Sequence, residues 1–232
     1  MGLPVASPAT QARYYSRVQS LRWPVVLFDL DGTVLDTVEL IRASHEYALR
    51  EVLGLRLSDE ALMAGIGTPL RDQMLKFDAA KADDLYDTYR VWNHANTARL
   101  ARRYDGVDDI LVALETAGAR LGIVTSKSQD AVDLVLKALP APIIWNTTIT
   151  YDDCALHKPH PEPLRVALAR LDAKPEDAVY IGDSPFDLQA ANAAGCAAIG
   201  VTWGVFQRDV LADEDPLTVV DTPAELLEVL LG

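Results

Sequence analysis

From residue 105 onward the chain alternates between helix-like and strand-like patterning, and this alternation narrows its possible folds more than any other feature. The segment "VDDILVALETAG" carries apolar residues at helical spacing and stops at Gly118; "RLGIVT" follows as a short, continuous apolar run. The unit recurs. A helix over 129–139 precedes a strand near 142–145, a helix over 161–171 precedes the strand "AVYIG", and a helix over 185–194, stopped by Gly195, precedes "AAIGV". A terminal "VV" leads into a last helix with Thr222 as N-cap, Pro223 in the first helical position and Glu225 two residues on. Short strands that are apolar throughout have no solvent face, so they belong in a parallel sheet covered by helices on both sides. The predicted class is α/β with a doubly wound parallel sheet.

Residues 38–104 break the rhythm. They hold no convincing strand, but they do hold amphipathic helices: "TVELIRASHEYALREVLG", a short helix after Ser58, and a long one from about 79 to 102 with Leu85, Tyr89, Trp92 and Leu100 on one side. The expected organisation is a core from 23–37 and 105–232, an inserted helical cap over 38–104, and an N-terminal extension over 1–22. That extension has three arginines and no acid, a weak organelle-targeting pattern, although a frayed terminus explains it as simply. Gly2 is followed by Ala6 where a myristoylation signal needs Ser or Thr.

Charge and composition exclude several classes of function. A net charge of −13 opposes a nucleic-acid or anionic-membrane surface, and no apolar run reaches the ~18 residues of a membrane span. Half of the residues are hydrophobic, enough to bury a full core. Cys154 and Cys196 are far apart in sequence, which fits buried thiols in a reducing compartment. A cytoplasmic protein, monomer or homodimer, acting on a small molecule is the expectation.

In an open parallel sheet, ligands bind beyond the carboxyl ends of the strands. Four segments bring reactive groups there. "VVLF" delivers Asp29 and Asp31, the strand over 121–124 delivers Thr125 and Ser126, the loop "LHKPHP" supplies Lys158, and the strand over 179–182 delivers Asp183, with Asp187 four residues later. Any one of these alone is an ordinary helix cap or solvated charge. Together they are not ordinary: Asp29 and Asp31 fall on one side of an extended segment, and close anions raise each other's pKa unless a cation intervenes. With Asp183 they make three hard oxygen donors, a set that suits Mg²⁺.

"DLDGTVLDT", "VTSK", "HKPHP" and "GDSPFD", in that order, closely resemble the four motifs of haloacid dehalogenase-like phosphatases. The resemblance covers residues 25–204, and "GDSPFDLQAANAAGC" with "GVTWG" is similar to the phosphoglycolate phosphatase-like branch. It implies a Rossmann-like core with a helical cap after the first motif, and a small phosphorylated metabolite as substrate. It also implies roles for individual residues. Asp29 would be the nucleophile forming an aspartyl-phosphate, and Asp31 the general acid and base. Thr125 would bind a phosphoryl oxygen, and Lys158 would neutralise developing charge. Asp29, the Asp31 backbone carbonyl and Asp183 would hold Mg²⁺, with Asp187 supporting them directly or through water or Lys158. Ser126 and Lys127 are candidate substrate contacts, helped by a helix start near Ser128. In the cap, "GIGTPLRDQM" adds Thr68, Pro69 and Arg71, and His45, Trp92 and His94 are further candidates. Trp92 reads more readily as a core residue of the cap bundle.

The rival readings are a phosphomutase similar to β-phosphoglucomutase, a phospho-acceptor switch like a receiver domain, a dehalogenase, and a catalytically retired scaffold. The phosphomutase shares all four motifs and the cap position and differs in a weaker cap resemblance; Asp31 sets aside the switch and the dehalogenase. A second acid assists hydrolysis, whereas a switch needs its phosphate to persist and a dehalogenase lacks that acid. No motif residue is missing, as one would be in a retired scaffold.

Overall fold

The computed structural model describes residues 21–232, so almost all of the expected N-terminal extension lies outside the described residues. Strand β1 (Val25–Phe28) is the centre of a six-stranded parallel sheet. The other strands are β4 (Arg120–Val124), β5 (Thr147–Ile149), β6 (Ala178–Gly182), β7 (Ala197–Val201) and β8 (Thr218–Val220), in the spatial order β5-β4-β1-β6-β7-β8. The two short strands β2 (Leu35–Asp36) and β3 (Arg102–Arg103) are described below.

Both faces of the sheet are covered, as the continuous apolar strands require. Successive side chains of β1 point to opposite sides. Val26 and Phe28 join a cluster with Ile110, Leu111 and Leu114 of α5 (Val107–Thr116), Val132 and Val135 of α6 (Gln129–Ala138), and Leu226 and Leu230 of α10 (Pro223–Leu231). Val25 and Leu27 join another with Leu164 and Leu168 of α7 (Glu162–Arg170), Leu188 and Ala191 of α8 (Pro185–Ala194), and Leu211 of α9 (Arg208–Ala212). Gly195 ends α8 in the left-handed conformation, and the Thr222 hydroxyl accepts the Glu225 amide to cap α10.

One strand is displaced from its expected place. The apolar stretch over 142–145 does not pair; β5 begins at Thr147. Pro140 and Pro142 remove amide donors from the approach, and pairing starts only where Asn146 exchanges bonds with Leu121, its amide donating to the carbonyl at 2.8 Å and its side chain accepting the Leu121 amide at 2.7 Å. Ile143 and Trp145 still contribute to the core, whereas Ile144 is exposed.

Between β1 and β4 the chain leaves the sheet through α1 (Val38–Leu53), α2 (Asp59–Met63), α3 (Leu70–Phe77) and α4 (Ala82–Leu100). These helices have a core of their own, built from Ala48, Leu49, Leu62, Met74, Ala82, Leu85 and Tyr89. Helix α4 is shorter than its expected span, entering at Lys81 and ending where Ala101 turns extended. Its apolar side chains divide between two bodies: Leu85 and Tyr89 face the insert's core, while Trp92 and Leu100 pack against the sheet's. Where the insert leaves and returns, β2 and β3 pair antiparallel, Leu35 opposite Arg103 and Asp36 opposite Arg102. Among the described residues no helix is long and apolar enough to cross a membrane. Cys154 and Cys196 are both free thiols.

Leu85 is fully buried in the insert's cluster, so Leu85→Ala should cost about 2–5 kcal/mol of stability through lost burial and the cavity left behind. Urea unfolding of the variant against the parent measures this; a loss below about 1 kcal/mol would mean that the insert is not packed as described.

Candidate active site

The carboxyl ends of β1, β4 and β6 meet at one edge of the sheet. The Asp29 amide donates to the Ile181 carbonyl at 2.8 Å, which continues the β1–β6 pairing one residue beyond the strand and fixes Asp29 at the edge. Asp183 follows β6. Asp187 lies in the first turn of α8, where it forms a capping box with Ser184. One carboxylate oxygen from each of Asp29, Asp183 and Asp187 lies within 4.8 Å of the others. All three side chains are buried.

Lys158 is the cation inserted among them, itself only 3% exposed. Its ammonium lies 2.6 Å from Asp187 Oδ1, 3.0 Å from Asp29 Oδ1 and 3.0 Å from the Tyr180 hydroxyl. Tyr180 donates to the Val124 carbonyl at 2.7 Å, tying the lysine to β4 and β6 together. Sequence reasoning missed Tyr180, because an aromatic residue in an apolar strand looks like core. Its one signal was a hydroxyl in an otherwise aliphatic segment.

Backbone gives way to these carboxylates. Gly32 has φ +78°, and a Cβ there would fall 2.2 Å from Asp183 Oδ2; a Cβ on Gly204 would fall 2.1 Å from the same oxygen. Asp183 Oδ2 accepts the Val205 amide at 2.8 Å. Asp31 lies apart from the three-carboxylate cluster. Lys127 reaches both of its oxygens, at 2.8 and 3.0 Å, and the Thr37 hydroxyl donates to it at 2.6 Å.

A half-enclosed cavity of about 100 Å³ opens over this edge, with Asp29, Asp31, Thr125, Ser126 and Lys127 on the core side. From the insert come Thr68, Arg71, Tyr86, Arg90, Asn93 and His94. Ser126 bridges the two sides by donating to the Gly67 carbonyl at 2.8 Å, and Gln73 holds the Thr68 carbonyl at 2.8 Å. Arg71 lines the rim and pairs with Asp83 at 2.6 Å, half exposed. Pro69 faces a neighbouring groove with His157. His45 is fully buried between Phe77 and Tyr89, and Trp92 stacks on Tyr47; neither lines the cavity.

The sequence profile of haloacid dehalogenase-like hydrolases matches residues 26–201, which carry all of the carboxylates above. The chain belongs to the haloacid dehalogenase-like hydrolase family. Pyrophosphatase PpaX of Anoxybacillus flavithermus is 38% identical over 205 residues, spanning 88% of this chain and 95% of the relative. PpaX of Bacillus velezensis is 36% identical over 208 residues, spanning 90% and 96%. Among solved structures, a predicted phosphatase from Clostridium acetobutylicum superposes with a TM-score of 0.81 at 27% identity, covering 90% of this chain and 98% of that one.

In this haloacid dehalogenase-like site the charges do not balance. Three carboxylates share one lysine, and burial pushes the Asp29 carboxyl up to about 7 despite the opposing pull of Lys158. Burial, reinforced by Asp187 and Asp29, likewise raises Asp183 well above the carboxylate range. Burial acts to lower the Lys158 pKa, but Asp187 and Asp29 outweigh it and hold the ammonium charged. Asp29 Oδ1 is buried without a well-aligned hydrogen bond among the described residues: Lys158 Nζ lies 3.0 Å away, but off the angle that a good hydrogen bond needs. Hard oxygen donors with an unsatisfied atom among them fit a divalent cation such as Mg²⁺. Asp187 fits that role less well, since Lys158 and Tyr180 occupy one of its oxygens and Ser184 the other.

Asp29, whose folded pKa of about 7 exceeds its ordinary 3.8, binds protons in the folded chain that the unfolded chain has already released. The Asp29 contribution to stability without metal should therefore be greatest at low pH and fall as pH rises from about 4 to 7, against the opposite contribution of buried His45, whose pKa is held down to about 4. Added Mg²⁺ should offset that fall, raising the unfolding temperature more at pH 8 than at pH 5. Thermal denaturation in chelator and in Mg²⁺ at both pH values tests this; an equal Mg²⁺ effect at the two would refute it.

Proposed function

We propose that this hydrolase is a Mg²⁺-dependent phosphatase that cleaves a small phosphate monoester, phosphoglycolate-like, or pyrophosphate through an aspartyl-phosphate on Asp29. The observation that carries this reading is the Asp29 carboxylate, held at the strand end among Lys158, Asp183 and Asp187 at the floor of a small, cation-lined cavity. The names of the PpaX relatives support pyrophosphate within that class. The cavity's size favours a compact substrate, since drug-sized ligands occupy ~300–1,000 Å³, and it counts against a hexose phosphate as in a β-phosphoglucomutase-like enzyme.

An Asp29 oxygen attacks phosphorus as the bond to the leaving oxygen breaks, and Asp31 gives that oxygen its proton. Asp31 then takes a proton from water as the water oxygen attacks the aspartyl-phosphate, releasing phosphate, restoring the Asp29 carboxylate and returning Asp31 to its protonated form. Thr125 donates to a phosphoryl oxygen. Lys158, held by Asp187 and Tyr180, neutralises charge between nucleophile and phosphoryl group without having to reorganise. Asp29 and Asp183, with the Asp31 carbonyl, would hold Mg²⁺, which when bound supplies positive charge against the phosphoryl oxygens and keeps Asp29 ionised at neutral pH. Asp187 supports the ion through Lys158. Ser126, Lys127, Thr68 and Arg71 line the space left for the rest of the substrate. A cytoplasmic setting agrees with the two free thiols.

Phosphate release from a panel of pyrophosphate, small phosphate esters and hexose phosphates tests the assignment. The compact substrates should be turned over in Mg²⁺ and not in excess chelator. Asp29→Asn should lower kcat by at least about a thousandfold while leaving the fold intact. Appreciable turnover by the folded variant would remove Asp29 as nucleophile.

A further inference from the structure

The cavity gathers positive charge from a chain whose net charge is −13: Arg71, Arg90 and Lys127 line it, together with His94, whose pKa burial lowers. Most of that charge is committed. Lys127 is held on both oxygens of Asp31, and Arg71 is held by Asp83 at the exposed rim. Arg90 is different. One of its terminal nitrogens meets Asp130 Oδ2, but its Nε is buried and has no partner. A buried guanidinium N–H without an acceptor is costly, and such groups ordinarily find one.

Position gives this unpartnered donor a purpose. Arg90 and His94 are four residues apart on α4, on the same face of the helix. Asp130, which contacts Arg90 and lies 3.8 Å from His94 Nε2, is in the first turn of α6. That turn directly follows Thr125, Ser126 and Lys127, the segment that faces the phosphoryl position. The Arg90 guanidinium also lies over the Tyr86 ring, 5.5 Å from its centroid, which restrains its plane. The arrangement is a cation lining the same cavity as Asp29, restrained by Asp130 and Tyr86 before any ligand enters.

We propose that Arg90, with His94 beside it, receives the second anionic group of the substrate, the one not transferred to Asp29, and that Asp130 positions the guanidinium for it. The inference rests on the phosphatase reading above and adds the residue that selects among its substrates. The class it selects is a phosphoryl group joined by one bridging atom or a short linker to a second phosphate or a carboxylate. Arginine's forked donors match either anion with paired hydrogen bonds. An aryl phosphate carries an uncharged ring in place of the second anion, so its binding gains nothing from Arg90.

Kinetics on pyrophosphate, phosphoglycolate and p-nitrophenyl phosphate test this for the wild type, Arg90→Ala, Arg90→Lys and Asp130→Asn. Arg90→Ala should lose about ten- to a hundredfold more kcat/KM on the two substrates that carry a second anionic group than on the aryl phosphate, mainly through KM. Arg90→Lys should recover part of that difference, since charge returns without the fork, and Asp130→Asn should show the same pattern more weakly. Methylenediphosphonate should inhibit aryl phosphate hydrolysis less well in Arg90→Ala than in the wild type. Losses of equal size on all three substrates, or none, would overturn the role of Arg90 while leaving the phosphatase reading in place. The ratio in Arg90→Lys and Asp130→Asn decides the matter should the alanine variant not fold. A wild type that releases phosphate from none of the three in Mg²⁺ would overturn both.

Discussion

The buried ammonium of Lys158 is the contact on which the rest of the site depends. Three carboxylates, one following β1 and two from the junction of β6 and α8, converge at the end of β1, and no fold would hold them there, dry and close, without a cation. Lys158 supplies one charge and leaves the cluster in deficit. That deficit is the physical reason for expecting a metal, and it also explains why the nearby backbone is so specific. Gly32, Gly182 and Gly204 each carry no side chain where a Cβ would collide with Asp183 or Asp187. The stability of the cluster and its capacity to bind an ion have the same origin, since a site fully balanced by lysines would have no use for Mg²⁺.

The helical insert meets this site on different terms. It has its own apolar core and touches the sheet's core through buried Leu40 and partly buried Trp92 and Leu100. Around the cavity its links to the core are polar and few: Ser126 to the Gly67 carbonyl, and Arg90 with His94 to Asp130. Gly67 approaches closely enough that a Cβ would fall 2.6 Å from Ser184 Oγ, so the loop carrying Thr68 rests directly on the segment that bears Asp183. The proposed chemistry thus lies at the sheet edge, while the insert supplies the facing wall of the cavity.

The sheet and the core of the site were legible because both follow from local rules. Apolar runs of fixed length separated by capped helices leave little freedom in topology, and carboxylates at the ends of those runs must meet at one edge. What escaped was non-local or disguised. The short β2–β3 pairing joins residues far apart in sequence and has no periodicity to reveal it. Prolines at 140 and 142 delayed β5 past an apolar stretch that looked like a strand. Tyr180 was hidden by its own strand, where burial is expected of every residue. Helices α3 and α9 are too short for a hydrophobic period to emerge.

Arg71 and Arg90 show the same limit at the level of function. Arg71 stands out in sequence because it follows "GIGTPL", whereas Arg90 lies within a helix whose apolar side chains attract the reading and whose charged ones look like solvent dressing. In three dimensions the two arginines bracket one ring, at 5.0 and 5.5 Å from the Tyr86 centroid. Asp83, itself largely exposed, draws Arg71 toward solvent, where water competes for every hydrogen bond it offers. Asp130 holds Arg90 against the cavity wall with its Nε already out of water, so the cost of desolvating that donor has been met by folding. An anion arriving at Arg90 therefore gains more per hydrogen bond than one arriving at Arg71. Selectivity follows the donor that folding has left dry and unpaired.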